Sequence, residues 1–353
     1  MERKNFLSET EQNINRRSFL KLSGLLSAGL VSFGILPTAA EAVRFNKKMY
    51  KVTETRVAMN TFVSMTLLHP SRDKSEEAMG LAFEEIDRLT QIMSRFDNRT
   101  AVAQLNNEGF LKDVPPEVSE VISRALYHYR LSNATFDITI KPVMDLYKNT
   151  IARGGDRWPD DAEITDALKL VGADKIEFHT NKIRLKKSGM GITLDGIAKG
   201  YIVDKASKIL AGHRINNHLI NAGGDIRAIG KRSDKKPWVV AIQDPQKKGH
   251  YPDTIYLTDG AIATSGNYEI YFDREKIFHH IVDPKTGFSP ELNNSVSVTA
   301  KTAMDADALS TAVFVMNPVL GTRFINSLPM CESFVIEKGN KRFKSAGWKS
   351  MTV

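Results

Sequence analysis

Between residues 55 and 68, alternating polar and apolar positions merge into an apolar run from Val57 to Leu68, and this pattern predicts one strand. The period then changes. Over 75–93 the apolar residues Met79, Leu81, Ala82, Phe83, Ile86, Leu89, Ile92 and Met93 recur at helical spacing, and 115–131 predicts a second helix. Strand-like runs follow at 175–185, 218–220, 238–242, 254–257, 277–282 and 295–299, with helices near 198–211 and 305–316. Strands and helices mix without a regular beta-alpha-beta rhythm, so the expected class is α+β, mixed sheets with packed helices. The stretch 153–159, Arg-Gly-Gly-Asp-Arg-Trp-Pro, predicts a loop, and no repeat of solenoid period is present.

The first 42 residues change the picture. Asn15-Arg16-Arg17-Ser18-Phe19-Leu20-Lys21 precedes a Gly- and Ser-rich apolar stretch over 22–36 and then Ala40-Glu41-Ala42. Paired Arg, apolar core and small-x-small site are the order of a twin-arginine export signal. The apolar stretch is short for a membrane span, which needs about 20 residues. The expectation is a signal over 1–42, a single domain over 43–353, and export of a folded protein to the periplasm by the twin-arginine machinery. The whole chain carries a formal charge of +8; losing the signal removes five Lys/Arg and four Asp/Glu and leaves +7. The lysine pairs at 186–187, 235–236 and 247–248 are scattered and lack interleaved aromatics, so a nucleic-acid partner is not expected. Cys331 is the sole cysteine, which permits no internal disulfide.

No Gly-x-Gly-x-x-Gly follows a strand, and Gly-x4-Gly-Lys-Ser/Thr, His-Glu-x-x-His and Gly-x-Ser-x-Gly are absent. Chemistry-bearing residues collect elsewhere. Asp307, Ser310 and Thr311 fall within one helical turn, and Asp307 and Thr311, four apart, share a helix face. Carboxylate, hydroxyl and carbonyl oxygens suit Mg²⁺ or Ca²⁺, although an acid in a first turn and a back-bonded Thr are also ordinary helix features. Gly191-Ile-Thr-Leu-Asp-Gly-Ile-Ala-Lys-Gly-Tyr201 runs from a strand into a helix, where free N–H groups and Lys199 could face an anion. Leu219-Ile-Asn-Ala-Gly-Gly-Asp-Ile226 reads as a hairpin turn or a close backbone approach, and Ala263-Thr-Ser-Gly-Asn-Tyr268 as a small-residue turn. His279 and His280 end a strand, where neighbours point to opposite faces, so at most one enters any given site.

Taken in order, these pieces resemble the ApbE family of FAD:protein FMN transferases over essentially all of 43–353. The resemblance is carried by Met59-Asn-Thr61, Ser94-Arg-Phe-Asp97, Leu105-Asn-Asn107, Thr135-Phe-Asp-Ile-Thr-Ile-Lys-Pro142, Gly196-Ile-Ala-Lys-Gly-Tyr201, Asn221-Ala-Gly-Gly-Asp225, Ala263-Thr-Ser-Gly266, His280-Ile-Val-Asp-Pro284 and Asp307-Ala-Leu-Ser-Thr311. It implies a flavin transferase fold related to the T-fold, with Mg²⁺ as cofactor and FAD as substrate. AMP would be released and FMN attached through its phosphate to a threonine of another protein, typically part of an extracytoplasmic redox system.

The resemblance also implies roles. Asp307 and Thr311, with main-chain oxygens of Ser310 and Gly196, would hold Mg²⁺. Met59, Phe96, Thr135, Phe136, Asp137, Lys199 and Ile281 match positions lining the FAD site, and Asn221, Gly223 and Gly224 would let backbone approach the ligand. His280 is the expected general base toward the acceptor hydroxyl, imidazole titrating near working pH. One position departs from the family. Where its turn usually begins Asp-Leu-Gly-Gly, this chain has Thr193-Leu-Asp-Gly196; if strand alternation holds there, Thr193 and Asp195 share a face and Asp195 substitutes. The segment 307–313 comes close to the family's flavinylation pattern but ends in Val313, so the expected acceptor is a separate flavoprotein. Two alternatives use the same residues: a Mg²⁺-dependent FAD pyrophosphatase releasing FMN and AMP, and a non-catalytic periplasmic flavin-binding protein.

Overall fold

The structure, a computed structural model, describes residues 38–46, 48–152, 158–179, 181–232, 236–246, 248–267 and 281–351. Its strands are β1 (Thr38–Asn46), β2 (Met49–Ala58), β3 (Thr61–His69), β4 (Phe110–Lys112), β5 (Ile176–His179), β6 (Lys182–Leu185), β7 (His218–Ala222), β8 (Asp225–Ile229), β9 (Trp238–Ala241), β10 (Thr254–Leu257), β11 (Gly260–Gly266), β12 (Asn293–Ala300), β13 (Glu332–Glu337) and β14 (Arg342–Lys344). Nine of them form one antiparallel sheet in the order β1-β2-β3-β7-β8-β11-β12-β13-β14, beside a β10-β9 pair and a small β4-β6-β5 sheet. The helices are α1 (Arg72–Met93), α2 (Ala101–Glu108), α3 (Pro116–Leu131), α4 (Lys141–Ala152), α5 (Asp161–Leu168), α6 (Ala198–Gly212), α7 (Ala303–Val315) and α8 (Pro318–Asn326). Mixed sheets with packed helices make the fold α+β, as the patterning predicts.

Each face of the large sheet is covered by its own core. On one, Val63, Met65 and Leu67 of β3 pack with Ala78, Met79, Ala82, Phe83, Ile86 and Leu89 of α1 and with Tyr201 and Val203 of α6. The apolar stripe at helical spacing is what seats α1 there, and Ser71, whose hydroxyl accepts from the Lys74 N–H, starts the helix. On the other face Leu68, Leu219, Ile226 and Phe334 pack with Trp238 and Val240 of β9 and Ile255 of β10.

Several boundaries differ from the pattern. The strand expected across 55–68 is the hairpin of β2 and β3, broken by left-handed turn residues Met59 (φ 51°) and Asn60 (φ 57°). Both turn residues are non-glycine, so no glycine marks the break. The run 175–185 is likewise a hairpin, of β5 and β6. The small-residue segment from Ala263 continues β11 as far as Gly266 instead of turning, because β12 pairs with it throughout. Of the strand expected at 277–282, residues 277–280 lie outside the described residues, while Ile281 and Val282 belong to no strand. The loop expected at 153–159 is described only from residue 158. β1 begins ahead of residue 42, with Glu41 opposite Thr53 and Ala42 opposite Val52.

Candidate active site

Helix α7 is buried over most of its surface, with Ala303, Ala306, Ala308, Leu309, Ala312, Val313 and Phe314 all inside. Both ends are fixed by side-chain hydrogen bonds. The Asp204 carboxylate accepts from the N–H groups of Ala303 and Met304, each at 2.9 Å, and the Thr302 hydroxyl accepts from Asp305 N–H. At the far end Asn293 Nδ2 donates to the carbonyls of Phe314 and Met316, each at 2.9 Å. Burial pushes the Asp204 carboxyl up to about 6, against those two N–H bonds, which pull it down. A helix held this firmly fixes the polar groups it carries into the core: Asp307 (5% exposed), Ser310 and Thr311.

The turn before α6 meets these groups. Asn106 holds the turn by pairing with Ile192, accepting from its N–H at 2.6 Å and donating to its carbonyl at 3.0 Å. Gly196 then lies against Thr311 and Phe136, so closely that an added Cβ would stand 2.9 Å from Thr311 Oγ1 and 3.3 Å from the Phe136 ring. Gly200 N–H donates to Asp307 Oδ2 at 3.2 Å. The anion that this helix start was expected to attract is therefore, at Gly200, the protein's own Asp307 carboxylate. Lys199 reaches Asp225 Oδ2 at 3.1 Å. Burial raises the Asp225 pKa and the Lys199 ammonium opposes the rise.

Asp225 leads to the glycine turn. Gly223 (φ 59°) and Gly224 (φ 102°) join β7 to β8, with Asn221 Oδ1 accepting from Gly224 N–H at 3.0 Å. Because β3 pairs with β7, this turn abuts the Met59 turn: Gly223 N–H donates to the Phe62 carbonyl, and a Cβ on Gly223 would lie 2.5 Å from Thr61 Oγ1. Two hairpin ends distant in sequence thus meet beside Lys199. The hairpin and close-approach readings of Asn221-Ala-Gly-Gly-Asp225 are both realised.

The remaining expected residues divide. Phe136 is buried against Gly196, and Thr135 beside it donates its hydroxyl to the Ser132 carbonyl. The Asp137 carboxylate is taken up locally, accepting from Thr139 N–H at 2.8 Å, Thr139 Oγ1 at 2.6 Å and Ala173 N–H at 3.2 Å; burial raises its pKa. Phe96 is 65% exposed, its ring faced by Arg95 at 4.6 Å and Lys148 at 5.6 Å. Residues 193 and 195 do not share an environment. Their segment is not a strand, so alternation does not apply: Thr193 is buried and accepts from Asp195 N–H, whereas the Asp195 side chain is 49% exposed and accepts from Arg95 Nη2 at 3.0 Å. Ile281 is buried with Leu309 and Val313 of α7, and His279 and His280 lie outside the described residues.

Two participants were not singled out as site residues, although each lies in a segment that carries the resemblance, Ser94–Asp97 and Ala263–Gly266. Arg95 reaches Asp195 across 100 positions, and Ser265 of β11 touches both Ser310 Oγ (2.9 Å) and Thr311 Oγ1 (3.4 Å). Only the spacing of Ser265 within Ala263-Thr-Ser-Gly266 hinted at it. The oxygen set of Asp307, Thr311 and the main chain fits Mg²⁺, which takes few protein carboxylates and keeps its waters. Among the described residues no three His, Cys, Asp or Glu side chains converge as a metal cluster. The glycine at 196 keeps the space beside Thr311 free of a side chain.

Comparison with known proteins agrees with this architecture. The ApbE family model matches residues 59–335. An FAD:protein FMN transferase of Haemophilus influenzae is 32% identical over 232 residues, covering 64% of this chain and 65% of that protein. One of Vibrio cholerae serotype O1 is 30% identical over 279 residues, covering 75% and 83%. Among solved structures, an ApbE protein of Thermotoga maritima superposes with TM-score 0.76 at 32% identity, covering 84% of this chain and 97% of its own. The flavin transferase ApbE from Vibrio cholerae superposes with TM-score 0.73 at 23% identity, covering 87% and 98%. The chain belongs to the ApbE family.

Proposed function

We infer that this protein carries out the reaction its relatives are named for, moving FMN from FAD onto another protein. Family membership over 59–335 and curated relatives sharing that one name support the statement. The finer reading is ours: Mg²⁺-dependent transfer with release of AMP, onto a threonine hydroxyl of an acceptor flavoprotein in an extracytoplasmic redox system. The single observation that carries it is the seating of Asp307 and Thr311 against Gly196 and Gly200, which gathers carboxylate, hydroxyl and backbone groups beside Lys199 and the glycine turn.

In this reading Asp307, Thr311 and the carbonyls of Ser310 and Gly196 hold the cation. When bound, Mg²⁺ neutralises pyrophosphate charge and eases departure of AMP. The acceptor oxygen forms a bond to the FMN phosphorus as the bond from that phosphorus to the AMP oxygen breaks, and the hydroxyl proton passes to His280. The backbone of the 223–224 turn is where the flavin nucleotide would approach, and Phe96 offers an exposed ring. Asp137, whose carboxylate accepts from Thr139 and from the Ala173 N–H, ties the Phe136 loop to the segment at 173.

The test is incubation of the exported form with FAD, Mg²⁺ and an acceptor carrying a flavinylation threonine, read as in-gel flavin fluorescence. Covalent fluorescence on the acceptor, lost with chelator and lowered about 10²–10⁴-fold in His280→Ala, is expected. AMP and free FMN appearing at the same rate without acceptor, and no labelled acceptor, would identify a pyrophosphatase instead. FAD binding without either product would identify a flavin-binding protein.

A further inference from the structure

Among the described hydrogen bonds, the side chain of Ser265, outside α7, touches the hydroxyls of both Ser310 and Thr311, the second of which is assigned to the cation. Its neighbour Thr264 pairs with Ser297 on the opposite face of the sheet, at 2.8 Å between hydroxyls, so alternation along β11 turns Ser265 toward α7. A hydroxyl has one proton to give and two lone pairs to offer. Ser310 Oγ gives its proton to the main-chain oxygen of Asp307 at 3.0 Å, a group that can only accept. Between Ser310 and Ser265, 2.9 Å apart, Ser265 must therefore be the donor. Having spent its proton, Ser265 can only accept from Thr311 Oγ1, at 3.4 Å. The carbonyl at the end of the chain thus fixes the direction of every hydroxyl before it. Thr311's proton is drawn toward β11, and its lone pairs are left for the side where Gly196 keeps the space clear.

We propose that Ser265 is a positioning residue: through the one-way chain Thr311 to Ser265 to Ser310 to Asp307 carbonyl, it presets the Thr311 hydroxyl as an acceptor for a divalent cation. The proposal rests on the assignment of Asp307 and Thr311 as the cation site. Residues that orient metal ligands typically change affinity by about 10–100-fold when lost. A structural serine would change stability instead, so binding and melting are measured together.

The experiment titrates Mn²⁺ alone into the full-length protein and follows the free-ion electron spin resonance signal, with the melting temperature recorded for each variant. Ser265→Ala should bind Mn²⁺ about tenfold more weakly or worse with its melting temperature unchanged, and Ser265→Thr, which keeps the hydroxyl, should bind nearly as the wild type. Ser310→Ala should show a smaller loss, because it frees the Ser265 proton to occupy a Thr311 lone pair. The double variant should be no weaker than Ser265→Ala alone, since both act on one chain. Full loss in Asp307→Ala with wild-type binding in Ser265→Ala, or additive losses at 265 and 310, would overturn the hydroxyl chain. Wild-type binding in Asp307→Ala would overturn the site assignment, and the proposal with it.

Discussion

Gly200 has no room for a side chain. A Cβ there would lie 2.2 Å from the carbonyl oxygen of Ala303, 2.5 Å from its carbon and 2.7 Å from Met304 Cα. All three are backbone atoms, so no rotamer change relieves the clash. Ordinary contact begins near 3.4 Å, so in Gly200→Ala the start of α7 must retreat from α6 by about 1.2 Å. Asp307 lies one turn further along the same helix, and its 3.2 Å bond from Gly200 N–H would be pulled out of range. Overpacking costs about 1–3 kcal/mol, and a clash against rigid backbone belongs at the upper end. Alanine's better helix propensity returns up to about 1 kcal/mol. The net loss is about 2 kcal/mol, or about 3 °C in melting temperature for a domain of about 310 residues. Transfer should suffer more than stability, because a misplacement of about 1 Å at a site can cost about 10²-fold. Gly80 in α1 is the control: nothing lies within 4 Å of its added Cβ, so Gly80→Ala should be neutral or stabilising. Scanning calorimetry and the fluorescence transfer assay on the two variants decide the matter. A Gly200→Ala protein with unchanged melting and undiminished turnover would refute the packing argument.

Asp307→Ala should abolish Mg²⁺-dependent transfer with folding largely intact, and Thr311→Val should do less harm, a hydroxyl being the weaker ligand; full turnover in Asp307→Ala would place the metal elsewhere. Asp195→Ala should weaken FAD binding by about 1–3 kcal/mol in a fluorescence titration while Thr193→Val matters little, and the reverse order would make the buried Thr193 the ligand. Replacing Arg16 and Arg17 by Lys should leave the precursor in the cytoplasm on cell fractionation, and normal periplasmic appearance would sink the twin-arginine reading. His218 is buried; its Nδ1–H donates to the Ile215 carbonyl at 2.7 Å, so its Nε2 accepts from the Ser207 hydroxyl at 2.7 Å, and burial lowers its pKa to about 4 from 6.5. The folded state therefore resists a proton that the unfolded state accepts, and His218's contribution declines as pH falls from 6.5 toward 4, by at most about 1.4 kcal/mol per pH unit. Asp204, raised from 3.8 to about 6, acts in the opposite sense, losing stability as pH rises through that window. Urea unfolding of wild type against His218→Gln between pH 7 and 4 isolates the first effect: their difference in stability should shrink on acidification, and a constant difference would contradict it.

What the chain displays locally was legible. The apolar stripe of α1, the buried run of α7 and the mixed order of elements follow from side-chain periods, which neighbouring residues carry among themselves. The oxygen-bearing residues 307, 310 and 311 also share their helix turn by spacing alone. Other features depend on partners far away. The hairpin break at Met59 and Asn60 uses two left-handed non-glycine residues, and β11 runs through Thr264 and Ser265 because β12 supplies its hydrogen bonds. Small polar residues have little strand signal of their own. Likewise, alternation placed Thr193 and Asp195 together, but the backbone there leaves the strand conformation, burying one and handing the other to Arg95. By itself the sequence showed four of the eight described α-helices, α1, α3, α6 and α7, and which residues of α7 carry oxygen ligands. Only the tertiary structure decided that Asp307 meets Gly200, that Ser265 orders the hydroxyls beside it and that the 59 and 223 turns adjoin, because each depends on backbone approach between segments whose register no local period encodes.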